Sequence, residues 1–156
     1  MDYKKIDVTD LEIVEEPFII NKEVSFYTIK YDSDKLKFKS PTMKSYTGIK
    51  TNTFDKDEIN LTVNDDFKKF IRELEEQVQK QFENIYITET KEFKSILHQY
   101  KEYPEFIKPT INKFTKYKTG FDYKNQPLSV ILTVTGVWIN QKNYGISLKL
   151  NRIDIE

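Results

Sequence analysis

The sequence predicts a mainly β fold, a small and strongly bent barrel carrying one main α-helix. Three observations predict it: many short β-branched and aromatic runs between polar turns, one long apolar stripe of helical period, and two long alternating strands in the last third. At 156 residues the chain fits one domain, 1–156, long enough to bury a single core.

The elements follow in order. Residues 11–14, 18–20 and 24–30 read as strands, punctuated by Pro17 and by Asn21 and Lys22. Residues 35–39 alternate strictly, placing Leu36 and Phe38 on one face and Lys35, Lys37 and Lys39 on the other, until Ser40 and Pro41 stop the run. Two short strands at 47–51 and 59–63 come next. Phe67, Phe70, Ile71, Leu74, Val78 and Phe82 then form one helical stripe, with Asn64 or Asp65 as cap and Glu73, Glu75, Glu76, Lys69 and Lys80 on the solvated side. Phe93, Ile96, Leu97 and Tyr100 repeat the spacing and predict a second, short helix.

The last third returns to β structure, at 114–119, 121–123 and 129–139. In the longest run Val130, Leu132, Val134 and Trp138 share one parity, which favours burial of Trp138 over its alternative role as a stacking ring. A turn at 140–143 leads into the alternation Tyr144, Ile146, Leu148, Leu150. The phase flips at Asn151 and Arg152, which predicts a bulge or a bend. An OB-type five-stranded barrel with extra strands accommodates this order, and a β-sandwich with a helical excursion is its competitor.

The charge total is zero, 25 basic against 25 acidic residues, but its distribution is uneven. Residues 106–152 hold eight cations and a single acid, Asp122, whereas 51–105 hold thirteen acids and eight cations. That asymmetry favours a surface facing a polyanion, unless folding brings the acidic blocks alongside. No cysteine is present, which removes disulfides, thiolate metal sites and thiol nucleophiles. His98 is the sole histidine, so histidine metal sites and triads fail by count. Gly48, Gly120, Gly136 and Gly145 lie too far apart for a phosphate-cradling loop. Asp55, Asp57 and Glu58 begin like a calcium loop, but Asn60 stands where its glycine belongs and Asp66 where its glutamate belongs. Neither an enzyme nor a cofactor or metal is expected. No apolar run is long enough to span a membrane, and the first residues lack the apolar core of a secretory signal, so an intracellular protein is expected.

What remains is binding chemistry. Lysines alternate with rings in three blocks: Lys37, Lys39, Lys44 and Tyr46; then Lys116, Tyr117, Lys118, Phe121 and Tyr123; then Trp138, Lys142, Tyr144, Lys149 and Arg152. Single-stranded nucleic acid calls for this mixture, because cations track phosphates while rings stack on bases that no partner strand covers. The plainer reading is that strand lysines keep a sheet soluble and that most rings are core.

The segment VILTVTGVWINQKNYGISLKLNRIDI resembles the closing hairpin of the phage-type replicative single-stranded DNA-binding proteins, whose relatives occur in large eukaryotic DNA viruses. The shared pattern is Gly136 and Trp138 at the end of an apolar strand, Lys142 in the turn, Tyr144-Gly145, and Lys149 between aliphatics. LKFKSPTMKSYTGIK and the stretch 117–126 resemble two further segments of that family. The resemblance implies an OB fold, sequence-independent single-strand binding in replication, recombination or repair, and a site in the host cytoplasm or nucleus. It also implies polymerase, helicase or primase as partners. Family members often end in a long acidic tail, whereas residues 151–156 hold only Asp154 and Glu156 as acids. The expected ligand-binding set is the three blocks just named. A homo-oligomer, a scaffold protein of a virus particle, and an RNA-binding OB domain stay open as alternatives.

Overall fold

The computed structural model describes residues 1–156. After 3-10 turns at Tyr3–Lys5 and Val8–Asp10 come β1 (Leu11–Ile13), β2 (Phe18–Ile19) and β3 (Ser25–Tyr31). β4 (Leu36–Lys39), β5 (Met43–Lys44), β6 (Ile49–Thr51), β7 (Asp57–Ile59) and β8 (Leu61–Thr62) precede α1 (Asp65–Glu83). β9 (Glu92–Lys94) and β10 (Phe106–Ile107) are short, and β11 (Pro127–Ile139) and β12 (Asn143–Ile155) close the chain. The molecule is mainly β, with ten strands in one sheet and β6–β7 as a separate hairpin. No helix is long and apolar enough to cross a membrane.

β11 is the spine of the sheet. One edge pairs with β12 over its whole length; the other meets β5 at Pro127 and Leu128, β4 at 131–134 and β3 at 136–139. The ladder runs β1-β3-β11-β5-β8-β10, and no pairing joins β10 back to β1. Two register shifts bend the spine. Thr135 has no partner on β12, and Asn151 has none on β11. The second shift is the bulge expected from the phase flip. The first overturns the expected face of Trp138: beyond Thr135 the parity inverts, so Val137 and Ile139 are buried and Trp138 turns to the other face, half-exposed.

The helix forms where its stripe predicts. The Asn64 side chain accepts a hydrogen bond from the Phe67 amide at 2.8 Å, and Asp65 and Asp66 sit favourably at the positive end of the dipole. All six stripe residues are buried, and the helix lies across the inner face of the sheet. Phe67 and Phe70 meet Phe38 of β4 at 6.2 and 5.2 Å, while Phe82 meets Tyr27 of β3 at 5.0 Å and Tyr144 of β12 at 5.5 Å. Burying each such ring contributes about 1.5–3 kcal/mol, so helix and sheet are held as one core.

Three expectations fail for local reasons. The segment 93–100 is not helical: β9 runs parallel to β12 with Phe93 beside Tyr144, and His98 bridges to Phe106. A helix that short does not offset its nucleation cost, and the sheet edge offers the backbone better partners. Neither 114–119 nor 121–123 is a strand; only Lys116 makes a bridge, to Arg152. Glu75, expected on the solvated side of the helix, is buried and accepts hydrogen bonds from the Ser95 hydroxyl and the Ile96 amide.

Candidate nucleic-acid interface

The face of the sheet turned away from the helix carries the charged and flat side chains, and strand register places them in rows. Thr133 of β11 faces Lys37 of β4 on one side and Lys149 of β12 on the other. In the next row Ile131 stands between Lys39 and Arg152. Each row therefore sets two cations astride a neutral residue, about 10 Å apart across two strand spacings. Thr133 donates to the Asn151 side chain at 2.7 Å, which fixes the centre of the first row.

The same face becomes aromatic toward the hairpin. Phe26 of β3 pairs with both Phe18 of β2 and Trp138 of β11, and Trp138 pairs with Gly145 of β12, which pairs with Lys94 of β9. Five strands thus contribute one row. The two glycines explain how the rings lie. A Cβ on Gly145 would stand 2.9 Å from Cζ2 of Trp138, and one on Gly136 would stand 2.5 Å from Cζ of Phe26. Each ring therefore rests on a glycine and lies over the sheet instead of standing away from it. Flat aromatic surface next to cations suits a base with its phosphate.

The second expected block begins alongside β12. The Lys116 amide donates to the Asn151 carbonyl and its carbonyl accepts from Ile153, while the Thr115 hydroxyl donates to the Leu150 carbonyl. Exposed Lys116 is thereby brought beside Arg152, and exposed Phe114 lies within cation–π range of Lys113 and Lys149, at 5.1 and 5.6 Å. Lys118 is exposed over the half-buried Phe121 at 5.4 Å, and Tyr117 is half-buried against the core.

The remaining expected residues separate from this strip. Lys142 is exposed at the hairpin tip, where its amide donates to the Asn140 side chain. Lys44 and Tyr46 are exposed beyond the other end of β11, Lys44 facing Pro127 and Thr62. Tyr123 and Tyr144 correct the expectation that they stack on bases. They are 2% and 3% exposed: the Tyr123 hydroxyl bonds the amide and carbonyl of Lys118, and Tyr144 is packed between Phe82 and Phe93. Tyr144 shares its strand parity with buried Ile146, and core packing accounts for both rings.

Three acids touch the strip, and the first, Glu92, lies 3.3 Å from Lys94. Glu156 lies 3.5 Å from Lys39 and accepts a hydrogen bond from Ser129; that bond and the nearby lysine hold its carboxyl below the usual range. Asp154 pairs with Arg152 at 2.5 Å. Exposed pairs of this kind are worth about 0–1 kcal/mol, so a phosphate can displace them. His98 offers no cation near neutral pH, because burial and then Lys108 push its imidazole below the ordinary value.

Sequence reasoning missed Phe18, Phe26, Lys94 and Phe114. The parity of Phe26, opposite to that of buried Tyr27, Ile29 and Tyr31, was the signal available for it. No family model matches this chain, and no curated protein matches it significantly.

Proposed function

We propose that the chain binds single-stranded DNA without sequence preference, using the face built by β3, β4, β11 and β12. The observation that carries this reading is the pair of rows Lys37–Thr133–Lys149 and Lys39–Ile131–Arg152 on the same face as the Trp138 ring lying on Gly145. The rings supply stacking that ignores base identity, worth roughly 1–3 kcal/mol per base, and the amines neutralise phosphates. Lysine in preference to arginine suits charge without bidentate reading of guanine. Duplex DNA presents no free base face to Trp138, so it is the weaker ligand. The chain's place is then in replication, recombination or repair, as the hairpin resemblance implies, with the sheet read as an OB-type barrel whose spine is bent at Thr135 and Asn151.

The test is a titration of the protein with oligo-dT, poly-U and duplex DNA. Preference for oligo-dT over duplex supports the reading, and equal affinity for the two overturns it. Preference for poly-U would assign the same face to RNA.

A further inference from the structure

Beyond β5 the outer surface carries an aromatic pocket that the strip does not include. It has a volume of about 330 Å³ and is lined by Tyr46, Tyr100, Tyr103 and Phe106, with Thr47, Asn60 and Thr62 among its polar groups. A hydrogen-bonded turn holds two of the walls: the Tyr103 amide donates to the Tyr100 carbonyl at 3.1 Å, and the two rings are stacked at 6.3 Å with planes 14° apart. Tyr46 leans toward Tyr103 at 6.3 Å. Lys101, between the two turn tyrosines, has φ 52°, a left-handed conformation unusual for lysine, and its amine lies 5.1 Å from the Tyr100 ring. About half of each tyrosine remains exposed, so ring surface stays free for a ligand.

We infer that this pocket captures one nucleobase of the bound strand, at the end of the track opposite Trp138. The inference rests on the proposed single-strand binding. Flat rings form the walls, an amide and two hydroxyls can pair with a base edge, and Lys101, whose amine lies against the Tyr100 ring, supplies a cation for a neighbouring phosphate. The exposed lysines of β4 and β5, Lys37, Lys39 and Lys44, lead along consecutive chain toward Tyr46. A proline or aromatic side chain of a protein partner would fill the walls too, but it would leave the polar groups and that cationic approach without use.

The experiment is photocrosslinking with oligo-dT of about sixteen nucleotides, the upper range for one such domain, carrying 5-iodo-deoxyuridine at each position in turn. Mass spectrometry then maps the adducts. Adducts on Tyr100 or Tyr103 from one narrow group of positions, with others on Trp138 or Phe26 from a different group, are the expected result. Tyr100→Leu with Tyr103→Leu should weaken binding about tenfold and leave the Trp138 adducts in place. Adducts confined to Phe26 and Trp138, with unchanged affinity in the double variant, overturn the pocket and leave the strip standing. Failure of the wild-type chain to bind oligo-dT at all overturns the underlying reading, and binding of a proline-rich peptide through these tyrosines without nucleotide adducts assigns the pocket to a protein partner instead.

Discussion

Trp138 lies on Gly145. The glycine is its cross-strand partner, and a methyl group there would meet the indole at 2.9 Å and the Lys94 carbonyl at the same distance. An ordinary residue at 145 would push the ring up or aside, so the glycine decides whether the sheet ends in a platform or a ridge.

Gly145→Ala should therefore weaken oligo-dT binding by several-fold while lowering stability by about 1–3 kcal/mol. Gly136→Ala should cost more stability, because its Cβ would also stand 2.3 Å from the Tyr27 carbonyl, which is backbone and cannot swing away. Urea unfolding of both variants, beside affinity measurements, ranks them. A Gly145 variant with unchanged affinity would remove the platform from the account.

Among the cations, position should matter more than charge count. Lys37→Glu with Lys149→Glu reverses the first row, whereas Lys142→Glu alters only the hairpin tip. The row variant should lose at least tenfold in affinity and flatten the salt dependence, since each neutralised phosphate contributes about 0.7 to the log–log slope. The tip variant should lose less. Fluorescence anisotropy over a salt series reads both.

Tyr144 separates core from site. Its ring packs on Phe82 at 5.5 Å and on Phe93 at 5.2 Å, joining β12 to the helix and to β9. Tyr144→Ala should cost about 3–5 kcal/mol of stability. In conditions where the variant stays folded, its affinity for oligo-dT should match the wild type.

Glu75 sets a pH dependence of stability. Burial raises its carboxyl above the ordinary value, against the opposing hydrogen bonds from Ser95 and Ile96 and the charge of Arg72. The folded state therefore holds this proton more tightly than the unfolded state. Stability from this group is greatest at low pH and is lost as pH rises through the ordinary carboxylate range to the raised folded value. Glu75→Gln keeps the size of the side chain and removes the charge. Its stability should exceed that of the wild type at neutral pH, with the difference shrinking in acid, as urea unfolding at several pH values would report.

The helix and the alternation of β4 were legible because one period governs each. The apolar spacing from Phe67 to Phe82 and the buried and exposed residues of 36–39 follow directly from 3.6-fold and twofold repeats. Parity alone misplaces Trp138 because it counts residues and the bulge at Thr135 adds one; Gly136, an isolated glycine inside the strand, is the sequence signal for that bulge. The helical reading of 93–100 failed because its four apolar residues satisfy a helix pattern by spacing alone, while Phe93 takes its partner from β12 and the Ile96 amide takes its own from Glu75. The three lysine blocks were visible one by one. Their union across β4 and β12 was not, since it depends on both strands pairing with β11 in register at Thr133.

The most direct measurement is the fluorescence of Trp138, the sole tryptophan, during titration with oligo-dT at several salt concentrations. Saturable quenching is expected, lost in a parallel titration with duplex DNA, with an affinity that falls by about three log units per log unit of salt if Lys37, Lys39, Lys149 and Arg152 each neutralise a phosphate. Binding that leaves the indole emission unchanged, or that shows no salt dependence, would contradict the proposed binding face.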